Sequence, residues 1–270
     1  MRLPTLVAVA AWTCLGLHSQ ACAQTVNLRT AGSFAVLAGA EVTSTGPTVL
    51  YGDLGVSPGA SITGFPPGIV NGTIHAADGV ALQAKADLVT AYNDAAGRSP
   101  TADLTGQDLG GLTLLPGVYS FSSSAQLTGG LTLNALGNPD SVFIFQIGST
   151  LTTASSSSVR FINGGDGCNV FWQVGSSATL GTDTFFNGHI LALSSITMNT
   201  GADIVDGSAL ARNGTVTLDE NVIDVRGCLT GTPPGDAVPE PASILMFSAG
   251  LGALATLRRR RHVCGDEELP

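Results

Sequence analysis

VFIFQIGS, residues 142–149, is echoed by VFWQVGS at residues 170–176, and a strand rich in Thr and Ser follows each copy. A repeat with a period of a few tens of residues indicates stacked structural units. Both copies are apolar at successive positions, so both faces of the predicted strands must be covered. The repeat therefore predicts a solenoid in which these two strands lie in neighbouring coils.

Five short segments extend the repeat on one template: GLTLN (130–134), TLTTA (150–154), SATLG (177–181), SITMN (195–199) and TVTLD (215–219). In each, a central Thr lies between mostly apolar neighbours, as in a strand with one buried face. The central Thr residues recur roughly every 20 residues, which suits a coil of three short strands and three turns. The pattern favours a parallel β-helix over an antiparallel sandwich, which gives no reason for Thr to recur at this spacing.

The segment 76–96 is the one convincing helix. Its predicted apolar stripe is Val80, Ala84, Leu88, Ala91, Tyr92 and Ala95, and its predicted water-facing residues are Gln83, Lys85, Asp87, Asn93 and Asp94. Gly97 and Pro100 are expected to end it. We expect this helix to pack alongside the solenoid, over the strands at 142–147 and 170–174.

Composition supports a mostly β fold and excludes one class of partner. The 270 residues include 35 Gly, and only 11% are charged, a composition of short strands and tight turns rather than long helices. The formal net charge is −9, and Lys85 is the only lysine. Such a chain has no basic surface on which nucleic acid could displace counterions. We expect no nucleic-acid partner, and a monomeric protein.

The amino-terminal residues 1–23 have the features of a secretory signal peptide. Arg2 precedes an apolar run at 6–17, and Ala21-Cys22-Ala23 offers a cleavage site of small residues before Gln24. The apolar run is too short to span a bilayer. The mature body is therefore predicted to cover residues 24–231, exported through the Sec route.

The carboxy-terminal residues 232–270 have the features of a removable membrane anchor. After a linker at 232–237, residues 238–262 contain Pro239, Glu240 and Pro241, an apolar transmembrane segment at 242–257, and four consecutive arginines that fit the positive-inside rule. This order resembles the PEP-CTERM sorting signal of Gram-negative bacteria. The resemblance implies an exosortase-type processing enzyme, transient anchoring in the inner membrane, and a final location outside the cell or on its surface. The tail 263–270 extends farther than is usual for such signals.

Removal of the two terminal segments would leave one pair of cysteines in the body. The body keeps only Cys168 and Cys228, and an even pair in an oxidising compartment suggests a disulfide. Two separate buried thiols are the alternative, since spatial proximity cannot be read from spacing.

Several separated motifs in the body resemble the DUF3494 ice-binding protein family. They are AGSFAVLAG (31–39), GDLGVSPG (52–59), TIHAAD (73–78), AYNDAA (91–96), LLPGVY (114–119), FIFQIG (143–148), NVFWQV (169–174) and LAR (210–212). The resemblance covers about residues 28–228. It implies a discontinuous right-handed parallel β-helix with one α-helix alongside, no enzymatic activity and no cofactor, and adsorption to an ice crystal surface through one face.

The outward Thr and Ser side chains are the candidate ice-binding face. Strands about 4.8 Å apart, with alternate residues about 6.7 Å apart, give a nearly flat grid of hydroxyl and methyl groups. The predicted face comprises Thr132, Thr150, Thr152, Ser177, Thr179, Ser195, Thr197, Thr215 and Thr217. We expect Asp203 and Asp219 near this face, where their hydration would limit activity. The alternative is a non-catalytic structural or adhesive solenoid of a biofilm matrix, since Thr also stabilises strands by itself.

A carbohydrate-active enzyme is the remaining alternative, because it could share the β-helix. Such chemistry needs carboxylates that converge in a groove; the candidates are Asp203, Asp206, Asp219 and Glu220, with Arg212 nearby. Aspartates in solenoid turns more commonly bond to backbone, so no catalytic residue is predicted. The two histidines of the body, His75 and His189, are far apart in sequence, and no metal site is predicted.

Overall fold

The computed structural model describes residues 24–229. These residues contain the 3-10 helices Arg29–Ser33 and Gly167–Asn169, the helices α1 (Gly79–Gly97) and α2 (Arg226–Leu229), and the following strands: β1 (Phe34–Ala38), β2 (Glu41–Thr45), β3 (Val49–Tyr51), β4 (Asp53–Val56), β5 (Ser61–Thr63), β6 (Ile69–Asn71), β7 (Ile74–Ala76), β8 (Ala102–Asp103), β9 (Thr113–Leu114), β10 (Gly117–Phe121), β11 (Ala125–Leu127), β12 (Gly130–Asn134), β13 (Phe143–Ile147), β14 (Leu151–Thr153), β15 (Ser158–Ile162), β16 (Val170–Val174), β17 (Ala178–Leu180), β18 (Phe185–Asn187), β19 (His189–Ala192), β20 (Ile196–Met198), β21 (Asp203–Val205), β22 (Ala209–Ala211), β23 (Val216–Asp219) and β24 (Val222–Asp224).

Within residues 24–229 the strands form three parallel sheets. Each complete coil contributes one strand to sheets A, B and C in turn, whereas the coil of β8 and β9 has strands in sheets A and C alone. Sheet A has the order β7-β4-β1-β22-β19-β16-β13-β10-β8, sheet B the order β11-β14-β17-β20-β23-β2-β5, and sheet C the order β6-β3-β24-β21-β18-β15-β12-β9. The predicted parallel β-solenoid is therefore confirmed. The two echoed segments form β13 and β16, which pair residue for residue from Phe143–Val170 to Ile147–Val174.

The solenoid is discontinuous along the chain. The first strand, β1, lies between β4 and the late strand β22, with Val36 opposite Ala209. The amino-terminal coils therefore stack on the last coil, and the later coils begin at the far end of the sheets with β8 and β9. Helix α1 connects the two ends along the outside of sheet A.

The interior is a continuous apolar core built from alternate residues of all three sheets. Its largest side chains form a stack, in which Phe145 and Trp172 lie nearly parallel with ring centroids 3.9 Å apart. Phe186 continues the stack at 4.9 Å from Trp172. Burial of each such side chain contributes roughly 2–3 kcal/mol, so the core stabilises the stack of coils, and the backbone hydrogen bonds between strands set the coil spacing. Because residues 24–229 contain a continuous apolar core of their own, we expect this part of the chain to fold independently.

Helix α1 seals a second apolar cluster against sheet A, where Leu88 and Ala91 meet Ile144 and Phe171. The helix begins at Gly79 rather than at the predicted residue 76, because residues 74–76 form β7 and the Asp78 side chain caps the helix by accepting from Ala81 N–H. The prediction that α1 covers the echoed strands is confirmed.

Polar side chains fix α1 to its neighbours, and here the periodicity prediction was wrong. Lys85 and Asp87, expected to face water, are only 8% and 5% exposed, whereas Val80, expected in the apolar stripe, is 49% exposed. Lys85 donates to the backbone carbonyls of Ala211 and Arg212, and Asp87 accepts from the Thr30 hydroxyl at 2.6 Å. These partners are remote in sequence, so helical periodicity alone could not identify them.

The predicted disulfide joins Cys168 and Cys228. It ties α2 to the 3-10 helix that precedes β16, at the corner where the chain passes from sheet C to sheet A. The predicted signal peptide (1–23), the linker and sorting segment with the transmembrane stretch 242–257, and the tail 263–270 lie outside the described residues. Among the residues that the structure does describe, no helix is both long and apolar enough to cross a bilayer.

Removal of the disulfide should destabilise the body strongly. The bond closes a loop with a sequence separation of 60 residues, for which the chain-entropy contribution is about 4 kcal/mol. We expect Cys168→Ala/Cys228→Ala to lower the free energy of unfolding by that order, measured by denaturant titration. Adding a reductant should lower the stability of the unmodified protein but not that of the variant; equal stability of the two proteins would contradict a structural role.

His189, the first residue of β19, is the most deeply buried titratable side chain among residues 24–229. It is 2% exposed, its Nδ1 lies 2.8 Å from Ser208 Oγ, and its ring stacks on Phe171 at 5.5 Å. Burial lowers the pKa of His189 from 6.5 to about 4, although a hydrogen bond to the backbone of Cys168 opposes the shift. The imidazole is therefore held neutral in the folded protein.

This burial predicts a loss of stability in mild acid. Between pH 6.5 and about pH 4 the unfolded chain binds a proton at His189 that the folded chain does not, so stability falls as pH falls, by about 3 kcal/mol in total. Denaturant titrations at pH 7 and pH 4 should show a clearly smaller difference for His189→Gln than for the unmodified protein. Other acid-sensitive groups are common to both proteins and cancel in this comparison.

Candidate functional site

The three faces of the solenoid differ in how they are covered. Sheet A is buried on its outer side by α1, so it presents little free surface. Sheet C is uneven, because Phe185 and Val222 protrude and the Arg160 guanidinium stacks over the Phe185 ring at 5.3 Å. Sheet B has no helix over it in the part of the chain that the structure describes, and most of its outward residues are Thr or Ser. Sheet B is therefore the candidate binding surface.

A ladder of Thr runs down the middle of sheet B. Its residues are paired from coil to coil, in the order Gln126, Thr152, Thr179, Thr197, Thr217, Thr43 and Thr63. We call this set the central ladder. Between these outward residues lie buried side chains such as Leu151, Ile196 and Val216, which hold each Thr at the same height on the sheet.

A second ladder of hydroxyls lies two residues earlier on each strand. Following the same register, it consists of Ser124, Thr150, Ser177, Ser195, Thr215, Glu41 and Ser61. We call this set the flanking ladder. Six of its members carry a hydroxyl, and Glu41 is the exception.

The two ladders use their hydroxyls differently. In the flanking ladder, Thr150 Oγ1 donates to Ser124 Oγ at 2.8 Å, and Ser195 Oγ accepts from the N–H of Thr215 at 3.2 Å. In the central ladder, within the described residues, no protein group hydrogen-bonds the hydroxyls of Thr152, Thr179 and Thr197. The flanking ladder therefore stiffens the surface. In the central ladder Thr43 Oγ1 donates to Thr217 Oγ1 at 3.4 Å, whereas the hydroxyls of Thr152, Thr179 and Thr197 remain available to solvent.

Two carboxylates interrupt this surface. Glu41 lies in the flanking ladder, next to Ser61 and beside the Val42–Val216 pair, and it has no hydrogen-bond or ion-pair partner among residues 24–229. Asp219 lies at the opposite margin of sheet B, level with Thr45, and its carboxylate accepts a hydrogen bond from the Thr200 hydroxyl. Asp219 is thus held at the edge, whereas Glu41 stands unpaired within the surface.

The structure corrects the placement of one residue of the predicted face, Thr132, and of one residue expected near it, Asp203. Thr132 is on β12 in sheet C, where it pairs with Arg160 and Thr113; the sheet B residue of that coil is Gln126. Asp203, expected near the face, is on β21 of sheet C, where burial and the neighbouring Asp183 raise its carboxyl pKa. The other eight predicted residues lie together on sheet B. Their role in binding stays a prediction.

The sequence prediction missed part of the surface. Thr43 and Thr63 continue the central ladder, and Glu41 interrupts the flanking one, but these residues precede α1 and stack on coils that come much later in the chain. A signal was present, because EVT at 41–43 and SIT at 61–63 follow the same pattern of an apolar residue before Thr. Their place in the ladder could not be predicted, because their coils stack on the last coil rather than on the coils that follow them in sequence.

The candidate catalytic carboxylates are divided between two corners of the solenoid. Asp219 ends β23 and Asp203 begins β21, at the corner between sheets B and C. Asp206 follows β21 at the corner between sheets C and A, where burial and the charges of Asp166 and Asp224 raise its pKa. Within residues 24–229, no group of three or more His, Cys, Asp or Glu side chains could hold a metal ion. His75 pairs with Asp78, and His189 is buried beside Phe171.

Sheet B therefore presents a flat, repeating array of hydroxyl and methyl groups on a rigid parallel solenoid, with strands about 4.8 Å apart. These features define a class of solenoid protein that recognises a regular surface rather than a small molecule in a pocket.

The comparisons with known proteins agree with this class. The model of the family described as Ice-binding-like matches residues 36–224, and the chain therefore belongs to that family. An ice-binding protein of Nostoc sp. (strain HG1) is 54% identical over 235 residues, which are 87% of each chain. One of Colwellia sp. is 36% identical over 74% of this chain and 83% of its own.

Solved structures give the same result. The crystal structure of an ice binding protein from an Antarctic biological consortium has 46% sequence identity and a TM-score of 0.72, covering 83% of this chain and 96% of its own. That of the Antarctic ascomycete Antarctomyces psychrotrophicus has 43% identity and a TM-score of 0.73, covering 75% of this chain and 99% of its own.

A second family model, the PEP-CTERM protein-sorting motif, matches residues 237–261. The match contains Pro239, Glu240 and Pro241, and it confirms the resemblance noted in the sequence. The motif indicates export and sorting to the surface.

Proposed function

We propose that the protein adsorbs to ice through sheet B. The observation that carries this proposal is the central ladder, in which six of the seven register positions of sheet B hold Thr and one holds Gln126. The family membership and the names of the relatives support ice as the partner. The protein is proposed to act by binding alone, without a catalytic residue, metal or cofactor.

The physical basis of adsorption is preorganised water. Hydroxyls of Thr152, Thr179 and Thr197 can each hold water, and the neighbouring methyl groups restrict its orientation. Because the coils are fixed by the core and by the flanking ladder, this water is ordered before the crystal is met. A surface that is already ordered loses little entropy on binding, which favours adsorption.

Export and processing follow from the sorting motif. We propose that the protein leaves a Gram-negative cell by the Sec route and is held transiently in the inner membrane through residues 242–257. An exosortase-type enzyme then processes the sorting motif, and the body reaches the cell surface or the medium as a monomer. The match to the sorting motif supports the processing and sorting steps, and the Sec route rests on the signal-peptide features of residues 1–23.

One bulky substitution in the central ladder tests the proposed face. Thr197→Tyr should reduce the ice-bound fraction at least about ten-fold, because the ring breaks the flat array on which ordered water depends. Thr132→Tyr is the matched control, because it makes the same change on the outer side of sheet C. Both variants should melt like the unmodified protein. The readouts are partition into slowly grown ice and crystal shaping; equal loss in both variants, or in neither, would show that sheet B is not the face.

Substitution of Glu41 should increase adsorption to ice. Removal of its unpaired charge should strengthen adsorption, because a carboxylate must lose water when it approaches a crystal surface. We expect Glu41→Thr to lower the protein concentration that stops recrystallisation by roughly five-fold, equivalent to about 1 kcal/mol. Asp140→Asn removes the same charge from an exposed loop and should change nothing. If Glu41→Thr also leaves activity unchanged, the amino-terminal coils do not contribute to the face.

A further inference from the structure

Both ends of the described chain lie at one corner of the solenoid, where sheet C passes into sheet A. Near the amino end, the Thr25 hydroxyl donates to Asn169 Oδ1 at 2.7 Å. At the carboxyl end, α2 packs against both 3-10 helices, and Cys228 is bonded to Cys168 of the second one. We call this the A/C corner.

The A/C corner is opposite sheet B. Each coil runs from sheet A through sheet B to sheet C, so the connection from C back to A is the one corner that does not border sheet B. The exit point is also away from the ends of the solenoid, because β24, which precedes α2, has β21 on one side and β3 on the other. Leu229, the last described residue, thus lies on the side of the solenoid away from the binding surface.

The A/C corner also differs from sheet B in charge. Asp166, Asp206 and Asp224 lie close enough there to affect one another, and Arg226 pairs with Asp224 at 2.7 Å. Charged groups keep their hydration, so this side is suited to an aqueous neighbour. The sorting motif begins at residue 237, shortly after α2.

We infer that the protein binds ice while its carboxyl end remains attached, and thereby holds the surface that carries it against ice. Attachment at the A/C corner turns sheet B outward and leaves the central ladder uncovered. Many attached copies would act together, since each further contact on the same carrier is intramolecular. This inference rests on the proposed function, and it adds adhesion of the carrier to adsorption by the free protein.

Oriented attachment to beads tests the inference. Residues 24–231 would be coupled to streptavidin beads through a biotin placed after residue 231, and in parallel through a biotinylated Cys in Thr197→Cys, which attaches the protein by sheet B. A third set carries Thr197→Tyr coupled at the carboxyl end. The fraction of beads retained in slowly growing ice is measured for each set, and the soluble protein is tested alongside.

We expect carboxyl-end beads to be retained at least about ten-fold more than the other two sets. If soluble protein adsorbs to ice but the carboxyl-end beads are not retained, the adhesive role is wrong and the proposed function stands. If the soluble protein fails to adsorb, the proposed function itself is wrong. Equal retention of beads coupled through sheet B would also overturn the inference, because orientation would then not matter.

Discussion

Strict register between stacked coils is the constraint on which the binding surface depends. Along sheet B, inward residues such as Leu151, Ile196 and Val216 pack in the core, and they alternate with the outward Thr residues of the central ladder. A slip of one residue in any coil would turn its Thr inward and an aliphatic side chain outward, at a cost of several kcal/mol. The regularity of the surface is thus a consequence of core packing. Hydrogen bonds along the flanking ladder, such as Thr150 to Ser124, add stiffness to a spacing that the backbone ladders already set.

The course of the chain decides which sheet remains free. Helix α1 must return from the amino-terminal coils to the far end, and it does so along sheet A, which is therefore apolar on both sides. Sheet C has the corner with α2 on one margin and carries protruding and charged residues, including Phe185 and Arg160. Sheet B borders neither the helix nor the termini. The discontinuity of the coils thus places α1 over sheet A and leaves sheet B without a covering helix in residues 24–229.

The sequence predicted the solenoid, the helix and the disulfide, because each has a local or compositional signal. The Thr template failed once, at Thr132. That residue lies 20 positions before Thr152, about one coil length, yet within its coil it follows the sheet B strand and belongs to sheet C. The coil contains an insertion between β12 and β13 that makes spacing misleading. Burial of Lys85 was also unpredictable, because the carbonyls that accept from it are 126 and 127 residues away. Local sequence patterns predict which residues of a strand are buried and which are exposed. Only the stacking of the coils determines to which sheet the strand belongs.

The discontinuity has a mechanical consequence for a protein held at its carboxyl end. Force on sheet B would reach the carrier through the last strand, β24. In a continuous solenoid the last strand is an edge and can be peeled away one coil at a time. Here β24 is paired on both sides, so its removal requires two ladders of hydrogen bonds to break together. The disulfide from Cys228 to Cys168 then shares the load with the coil of β16. The amino-terminal coils therefore cover the last coil and protect the point of attachment.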